Sequence, residues 1–270
     1  MSLERSPLGK ATAYTDRYDA SLLCPVERSG PRAELGVGPV LPFSGLDIWT
    51  AYELCWLDRR GKPQLAVAEI RIGADSPAIV ESKSLKLYLG SFAQERLGTI
   101  GVLTRRIAAD LARTCAAPVQ VSLLPSPAAL RVAELPGESI DGRNAVAEAA
   151  APDPTLLKRG TGFVEESLRT ALFRCNCPVT GQPDYADVVV RYRGPRIDRG
   201  ALLKYFISYR RHAAFHETCV ERMFIDIALR CRPDQLTVYA RFLRRGGIDI
   251  NPFRSNFEPA PRRSERTPRQ

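Results

Sequence analysis

The sequence contains no uninterrupted apolar run long enough to cross a bilayer, and Met1 to Lys10 has no apolar stretch of signal-peptide length. Both absences argue against membrane insertion and secretion, so a cytoplasmic chain is expected. The seven cysteines are odd in number and irregularly spaced, which makes no disulfide framework and suits a reducing compartment. Gly36-Val37-Gly38 lacks the third glycine and the flanking strand and helix of a dinucleotide fingerprint. No phosphate loop ending in Gly-Lys-Ser/Thr occurs either. A nucleotide, if used, is therefore bound outside those folds. Cys-x-x-Cys pairs are also missing: Cys175, Cys177, His212, His216 and Cys219 do not fall at zinc-ligand spacing, and no metal is expected.

What is present is a chain of 270 residues, 44% hydrophobic, enough for one large domain or two ordinary ones. The formal charge of +9 favours anionic partners such as nucleotides, phosphates or nucleic acid. Part of that excess, Arg262, Arg263, Arg266 and Arg269, sits among Pro and Ser in 258–270. This segment reads as a disordered, solvated tail, so no nucleic-acid partner is expected and truncation after Pro261 should leave activity nearly unchanged.

The residue pattern divides the chain into a loop-rich arm over 1–45, a module over 46–125, a linker over 126–160, a second module over 161–257 and the tail. In the first module, strand-like Asp47 to Leu57 and Gln64 to Ile72 flank the turn Asp58-Arg59-Arg60-Gly61. Apolar residues at helical spacing follow from Ser91 to Ala116, with Leu97, Ile100, Leu103, Ile107 and Leu111 on one face, then a β-branched run at Val119 to Leu123. The second module repeats this order with Ala171 to Asn176, Asp187 to Arg193, a helix over Tyr209 to Arg230 and a strand over Leu236 to Phe242. Leu85-Lys86…Tyr88-Leu89 is echoed by Leu203-Lys204…Phe206-Ile207. The expectation is an α+β protein built from a duplicated module, with antiparallel sheets packed against helices.

Four clusters carry candidate chemistry, each with a plainer alternative. Cys177-Pro178-Val179-Thr180-Gly181-Gln182-Pro183-Asp184 puts a potential nucleophile and a potential proton donor on either side of a tight turn. It also reads as a small buried thiol before an ordinary Pro-Asp turn. Glu81-Ser82-Lys83-Ser84-Leu85-Lys86 offers cations and hydroxyls for phosphate, or a solvated loop. In Phe215-His216-Glu217, the histidine fits a hydrogen-bonded core position, while the glutamate needs a partner that an amidine edge would supply. Arg244-Arg245-Gly246-Gly247 suits a phosphate clamp or a surface turn.

Taken together and in this order, these clusters and Tyr18-Asp19-Ala20-Ser21-Leu22-Leu23 resemble the NADPH-dependent 7-cyano-7-deazaguanine reductases of queuosine biosynthesis, the QueF-type nitrile reductases, in their bimodular form. The Glu-Ser-Lys-Ser-x-Lys motif separates that family from the zinc-dependent GTP cyclohydrolase group of the same tunnelling fold. The resemblance implies two tandem tunnelling-fold modules, a free 7-deazaguanine base as substrate, NADPH as cofactor and a homodimer. It implies that Cys177 attacks the nitrile and that Asp184 manages the proton. Val80, Glu81, Ser82, His216 and Glu217 would contact the base, and Ser82, Lys83, Arg245 and Gly246 would contact NADPH. Cys175 is outside the family pattern. The alternatives are a zinc-dependent cyclohydrolase-like enzyme and a non-catalytic RNA-binding module.

Overall fold

The structure, a computed structural model, describes residues 14–125, 131–146, 150–261 and 265–270. The signal-peptide reading of Met1 to Lys10, and Arg262 and Arg263 of the tail, lie outside them. The chain forms two compact units, which do not follow the sequence boundaries expected above.

The first unit takes the described parts of Met1–Ala33, Asp47–Arg131 and Arg244–Asp249. Its elements are β1 (Pro25–Glu27), α1 (Ser29–Glu34), β2 (Ser44–Leu57, from Asp47 on), β3 (Pro63–Gly73), β4 (Ala78–Val80), α2 (Ser82–Gly90), α3 (Ile100–Cys115) and β5 (Val119–Leu124). The strands run in the order β5-β3-β2, and β1 pairs antiparallel with β4. The expected β2–β3 hairpin closes at Asp58, whose Oδ1 accepts from the backbone N–H of Arg60 and Lys62 while Gly61 supplies φ +88°. Every second residue of β3 from Ala66 to Ile72 is buried, the two-residue period of a strand with one face in the core. The α3 helix is shorter than its apolar spacing suggested. Glu95 and Leu97 bond through their main chain to Leu57, so the helix starts only at Ile100, which is 41% exposed. Leu103, Ile107 and Leu111 form its buried stripe.

The second unit takes Glu34–Leu46 and the described parts of Val132–Leu243 and Ile250–Gln270. Its elements are β6 (Glu138–Ser139), β7 (Arg159–Asn176), β8 (Pro183–Ile197), α4 (Arg199–Ile207), α5 (His216–Cys231), β9 (Gln235–Phe242) and β10 (Ile248–Ser255, from Ile250 on). The strand order is β10-β9-β8-β7-β6, antiparallel in β7–β8, β8–β9 and β9–β10 and parallel only where β6 meets β7. The β7–β8 hairpin is much longer than the two runs that announced it. The helix expected over Tyr209–Arg230 divides instead: Ser208–Arg211 is a 3-10 turn, and α5 begins at His216. Buried Val220, Met223, Phe224 and Ile227 make its core face.

The two units repeat each other in detail. Asp19 accepts from the N–H and hydroxyl of Ser21, and Asp153 accepts from the same groups of Thr155, each opening a 3-10 turn that ends in Leu-Leu. The backbone N–H of Asp19 reaches Ser91 Oγ, and that of Asp153 reaches Ser208 Oγ. Tyr88 in α2 donates to Asp110 in α3, and Tyr205 in α4 donates to Asp226 in α5. Both longer helices end in a buried cysteine, Cys115 or Cys231, followed by a left-handed residue at φ 53°. The true internal register matches Tyr88 with Tyr205, one residue away from the echo read in the sequence.

Two expectations are corrected by this. The second half of the supposed linker is the start of the second repeat, and β6 pairs within the sheet. The tail is not a solvated appendage over its described part. Glu258 is paired with Arg191, while Thr267 and Gln270 are buried. Side-chain hydrogen bonds, which leave no apolar pattern in a sequence, anchor it.

Candidate functional site

In the second unit the long hairpin positions the candidate thiol. Cys175 stands directly opposite Asp184 across the β7–β8 ladder. Cys177 N–H bonds to Gln182 O at 2.9 Å, which extends the ladder by one rung, and Gly181 N–H returns to Cys177 O at 3.0 Å. Because side chains alternate across a strand, Cys175, Cys177 and Asp184 share a face, with Cys177 diagonal to Asp184. Cys175 is 0% exposed between Phe173 and the turn, whereas Cys177 at the hairpin end is 3% exposed.

The segment before α5 is tied to the same hairpin. Asn176 N–H bonds to His212 O at 2.8 Å and Asn176 O accepts from Ala214 N–H at 3.2 Å. Two residues later His216 opens α5 with its Nε2 3.2 Å from Asp184 Oδ2. Its ring lies flat on Phe242, with centroids 3.7 Å apart and 5° between the planes. Glu217 is buried in the same first turn. Cys177, Asp184, His216 and Glu217 therefore belong to one unit, all four on the hairpin and helix start that Asn176 joins. Burial, with Arg222 nearby, pushes His212 below the ordinary imidazole value.

The first unit holds the other candidates. Val80 ends β4, and Glu81 caps α2: its Oε1 accepts from Lys83 N–H at 2.6 Å and its Oε2 from Ser84 N–H at 2.8 Å. Ser82 Oγ donates to Glu81 at 3.3 Å. The motif read as a phosphate contact or a loop is thus a helix start, locked further by Ser84 Oγ, which donates to Glu81 O and accepts from Cys24 N–H. Arg245 and Ile248 close a two-residue turn, with Gly246 at φ +59° and Gly247 at φ +80°. Glycine suits both central positions, where φ is positive. A side chain at Gly246 would meet Lys86 Cε, Cδ and Nζ at 3.2–3.3 Å, so the turn lies against the second lysine of the motif. A cation set beside bare backbone fits a phosphate-bearing cofactor such as NADPH.

Lys86, expected with Lys83 as a possible phosphate contact, lies beside Gly246, and Phe242 under His216 was not among the site residues expected. Phe242 carried no signal beyond ending a strand. Among the described residues no three His, Cys, Asp or Glu side chains gather as a metal site would require. No helix among them is long and apolar enough to cross a membrane.

Residues 14–123 match the family described as nitrile reductase, 7-cyano-7-deazaguanine-reductase N-terminal, and residues 183–261 match that of QueF-like proteins. The matches include all the candidate residues except Cys177, which lies just before the second. Proteins named NADPH-dependent 7-cyano-7-deazaguanine reductase from Bordetella pertussis and Burkholderia vietnamiensis are 54% and 51% identical, each over 100% of both chains. The chain belongs to the 7-cyano-7-deazaguanine reductase family of nitrile reductases, and carries both of its modules.

Proposed function

We propose that this chain reduces the nitrile of 7-cyano-7-deazaguanine to the primary amine through a covalent thioimide on Cys177, with NADPH as reductant. The observation that carries this reading is the Cys177 turn beside Asp184, itself within reach of His216 Nε2. The Cys177 sulfur bonds to the nitrile carbon, and the proton that the addition requires reaches the nitrogen by way of Asp184. A nitrile is a poor hydride acceptor; the thioimide carbon is more electrophilic and is fixed in place. NADPH, when bound, supplies the hydride for each of two successive reductions. After the first, the carbon–sulfur bond breaks and the Cys177 thiolate leaves; Asp184 is placed to return protons to the nitrogen as the amine forms.

Val80, Glu81, Ser82, His216 and Glu217 are assigned to the base, with the buried Glu217 carboxylate accepting from its amidine edge. Ser82, Lys83, Arg245 and Gly246 are assigned to NADPH, where Lys83 and Arg245 oppose phosphate charge and Gly246 lets the cofactor approach the backbone. The product class, an aminomethyl deazaguanine base, belongs to queuosine synthesis for tRNA. We assign the chain to the cytoplasm as a homodimer acting on the free base, without nucleic acid or membrane as partner.

The test is NADPH consumption with 7-cyano-7-deazaguanine, followed at the nicotinamide absorbance, together with intact-mass analysis without NADPH. Two NADPH oxidised per amine and a substrate-sized adduct on the protein are expected. Turnover without any adduct would count against the covalent route.

A further inference from the structure

Phe242 ends β9 fully buried, with its ring parallel to the His216 imidazole and the Phe173 ring edge-on at 5.9 Å. A flat stack fixes the tilt of an imidazole but leaves it free to turn in its own plane. The contact from Nε2 to Asp184 Oδ2 fixes that turn. A carboxylate oxygen accepts, so Nε2 is the donor in this contact. Nδ1 is buried and has no hydrogen-bond partner among the described residues.

The main chain of Phe242 is held from a distant part of the sequence. Gln270 Nε2 donates to Phe242 O at 2.9 Å and to Asn251 Oδ1 at 2.8 Å. Gln270 Oε1 accepts from Arg241 Nε at 2.8 Å and from Thr267 N–H at 3.0 Å. The β9–β10 register runs from Ser255↔Thr237 to Phe253↔Tyr239, and the next residue along β10 is Pro252, which has no N–H to donate. Beyond that proline the glutamine amide joins the Asn251 side chain to the Phe242 main chain.

We propose that Phe242 is a positioning residue for His216 and that Gln270 fastens Phe242 where the stack requires it, so that residues 265–270 serve the site. This rests on the assignment of His216 to the base and adds the means by which its ring is aimed. It also reverses the expectation that truncation after Pro261 is harmless.

The chain contains two histidines, which makes their ring protons a direct probe. In the free protein the ring current of Phe242 should hold the His216 protons upfield, and Phe242→Leu should release them. The same variant should slow adduct formation and kcat by about tenfold while the KM for NADPH stays within about twofold. Phe242→Tyr, which keeps the flat ring, should restore both readouts. Gln270→Ala should move the resonance part of the way and slow the adduct by about threefold. A folded Gln270→Ala protein with unchanged His216 resonance and unchanged adduct rate would overturn the fastening. Folded Leu and Tyr variants with equal losses would overturn the stacking role. Should Phe242→Leu fail to fold, Gln270→Ala decides the matter through the same readouts. The resonance is read without ligand, so a wild type that formed no adduct would count against the assigned reaction while leaving this test in force.

Discussion

The two units share a framework and differ in chemistry. In each, an acidic cap starts a nine-residue helix, a tyrosine of that helix donates to an aspartate in the following sixteen-residue helix, and a serine hydroxyl returns to the tyrosine carbonyl at 2.6 Å. At matched positions the residues assigned to the ligands under the proposed function appear only once. His216-Glu217 open α5, where α3 opens with Ile100-Gly101. Ser82-Lys83 open α2, where α4 opens with Arg199-Gly200, and Arg199 is committed to Glu138 and Glu166. The brace is needed wherever this module folds, so both copies keep it. A substrate contact is needed once, which frees the other copy to put an apolar or an ion-paired residue there.

The largest effect expected from breaking this division is at the turn of the second unit. Cys177→Ala should abolish turnover and the adduct, whereas Cys175→Ala should keep substantial activity despite a stability loss from the small cavity it leaves. Cys175 is the residue directly opposite Asp184, so the pair of variants separates ladder position from reactivity. An adduct that survives Cys177→Ala in intact-mass analysis would transfer the role to another thiol.

Next in size is the division of the two ligands among the assigned side chains. Glu217→Ala should weaken binding of the base much more than binding of NADPH, and Lys83→Ala or Arg245→Ala should do the reverse. Each loss is expected at roughly 1–3 kcal/mol, the cost of leaving a charged hydrogen-bond partner unmatched. Separate titrations of the two ligands check this, and equal losses for both in every variant would remove the division. Because Glu81 already caps α2 with both oxygens, Glu81→Ala should also cost about 1 kcal/mol of stability, which Glu217→Ala has no capping reason to share.

How much of this was legible depended on whether the information was local. The runs Asp47–Leu57, Val119–Leu123 and Leu236–Phe242 became strands because alternation and β-branching are read within a few residues. The α2 helix was not read, since Leu85, Leu87, Tyr88 and Leu89 are all buried and leave no single apolar face. The repeat was seen, but one residue out of register, because the matched Tyr88 and Tyr205 are told apart from their neighbours only by their bonds to Asp110 and Asp226. At the site, the Cys177 turn was visible because Pro and Gly punctuate it between two strands. The contact of His216 with Asp184, the stack on Phe242 and the docking of Gln270 join residues far apart in sequence, and no local pattern encodes them.

The braces themselves offer a smaller comparison. Tyr205 OH meets both Tyr209 OH and Asp226 Oδ2 at 2.7 Å, so Tyr205→Phe removes the tyrosine partner of Asp226. Asp110 would keep Tyr18 and Arg113 after Tyr88→Phe. Loss of a hydrogen bond to a charged group costs about 1.5–3 kcal/mol, and Tyr205→Phe should fall in that range while Tyr88→Phe stays near about 1 kcal/mol. Urea denaturation measures both, and a larger loss at Tyr88 would reverse the ranking.

The smallest effect concerns the pH dependence of the second brace. Burial raises the Asp226 carboxyl above its ordinary value, against the opposing influence of the Tyr205 hydrogen bond and Arg222. The folded protein therefore holds this proton more tightly than the unfolded chain, whose aspartates titrate at roughly 3.9. The resulting stability is fully present below the unfolded value and is lost as pH rises through the folded one. Asp226→Asn keeps an oxygen to accept from Tyr205 and cannot ionise. Its melting temperature relative to wild type should rise as pH is taken from the acid range to neutrality, and a difference that stayed flat or fell would show that the ionised carboxylate is better accommodated in the brace than its burial implies.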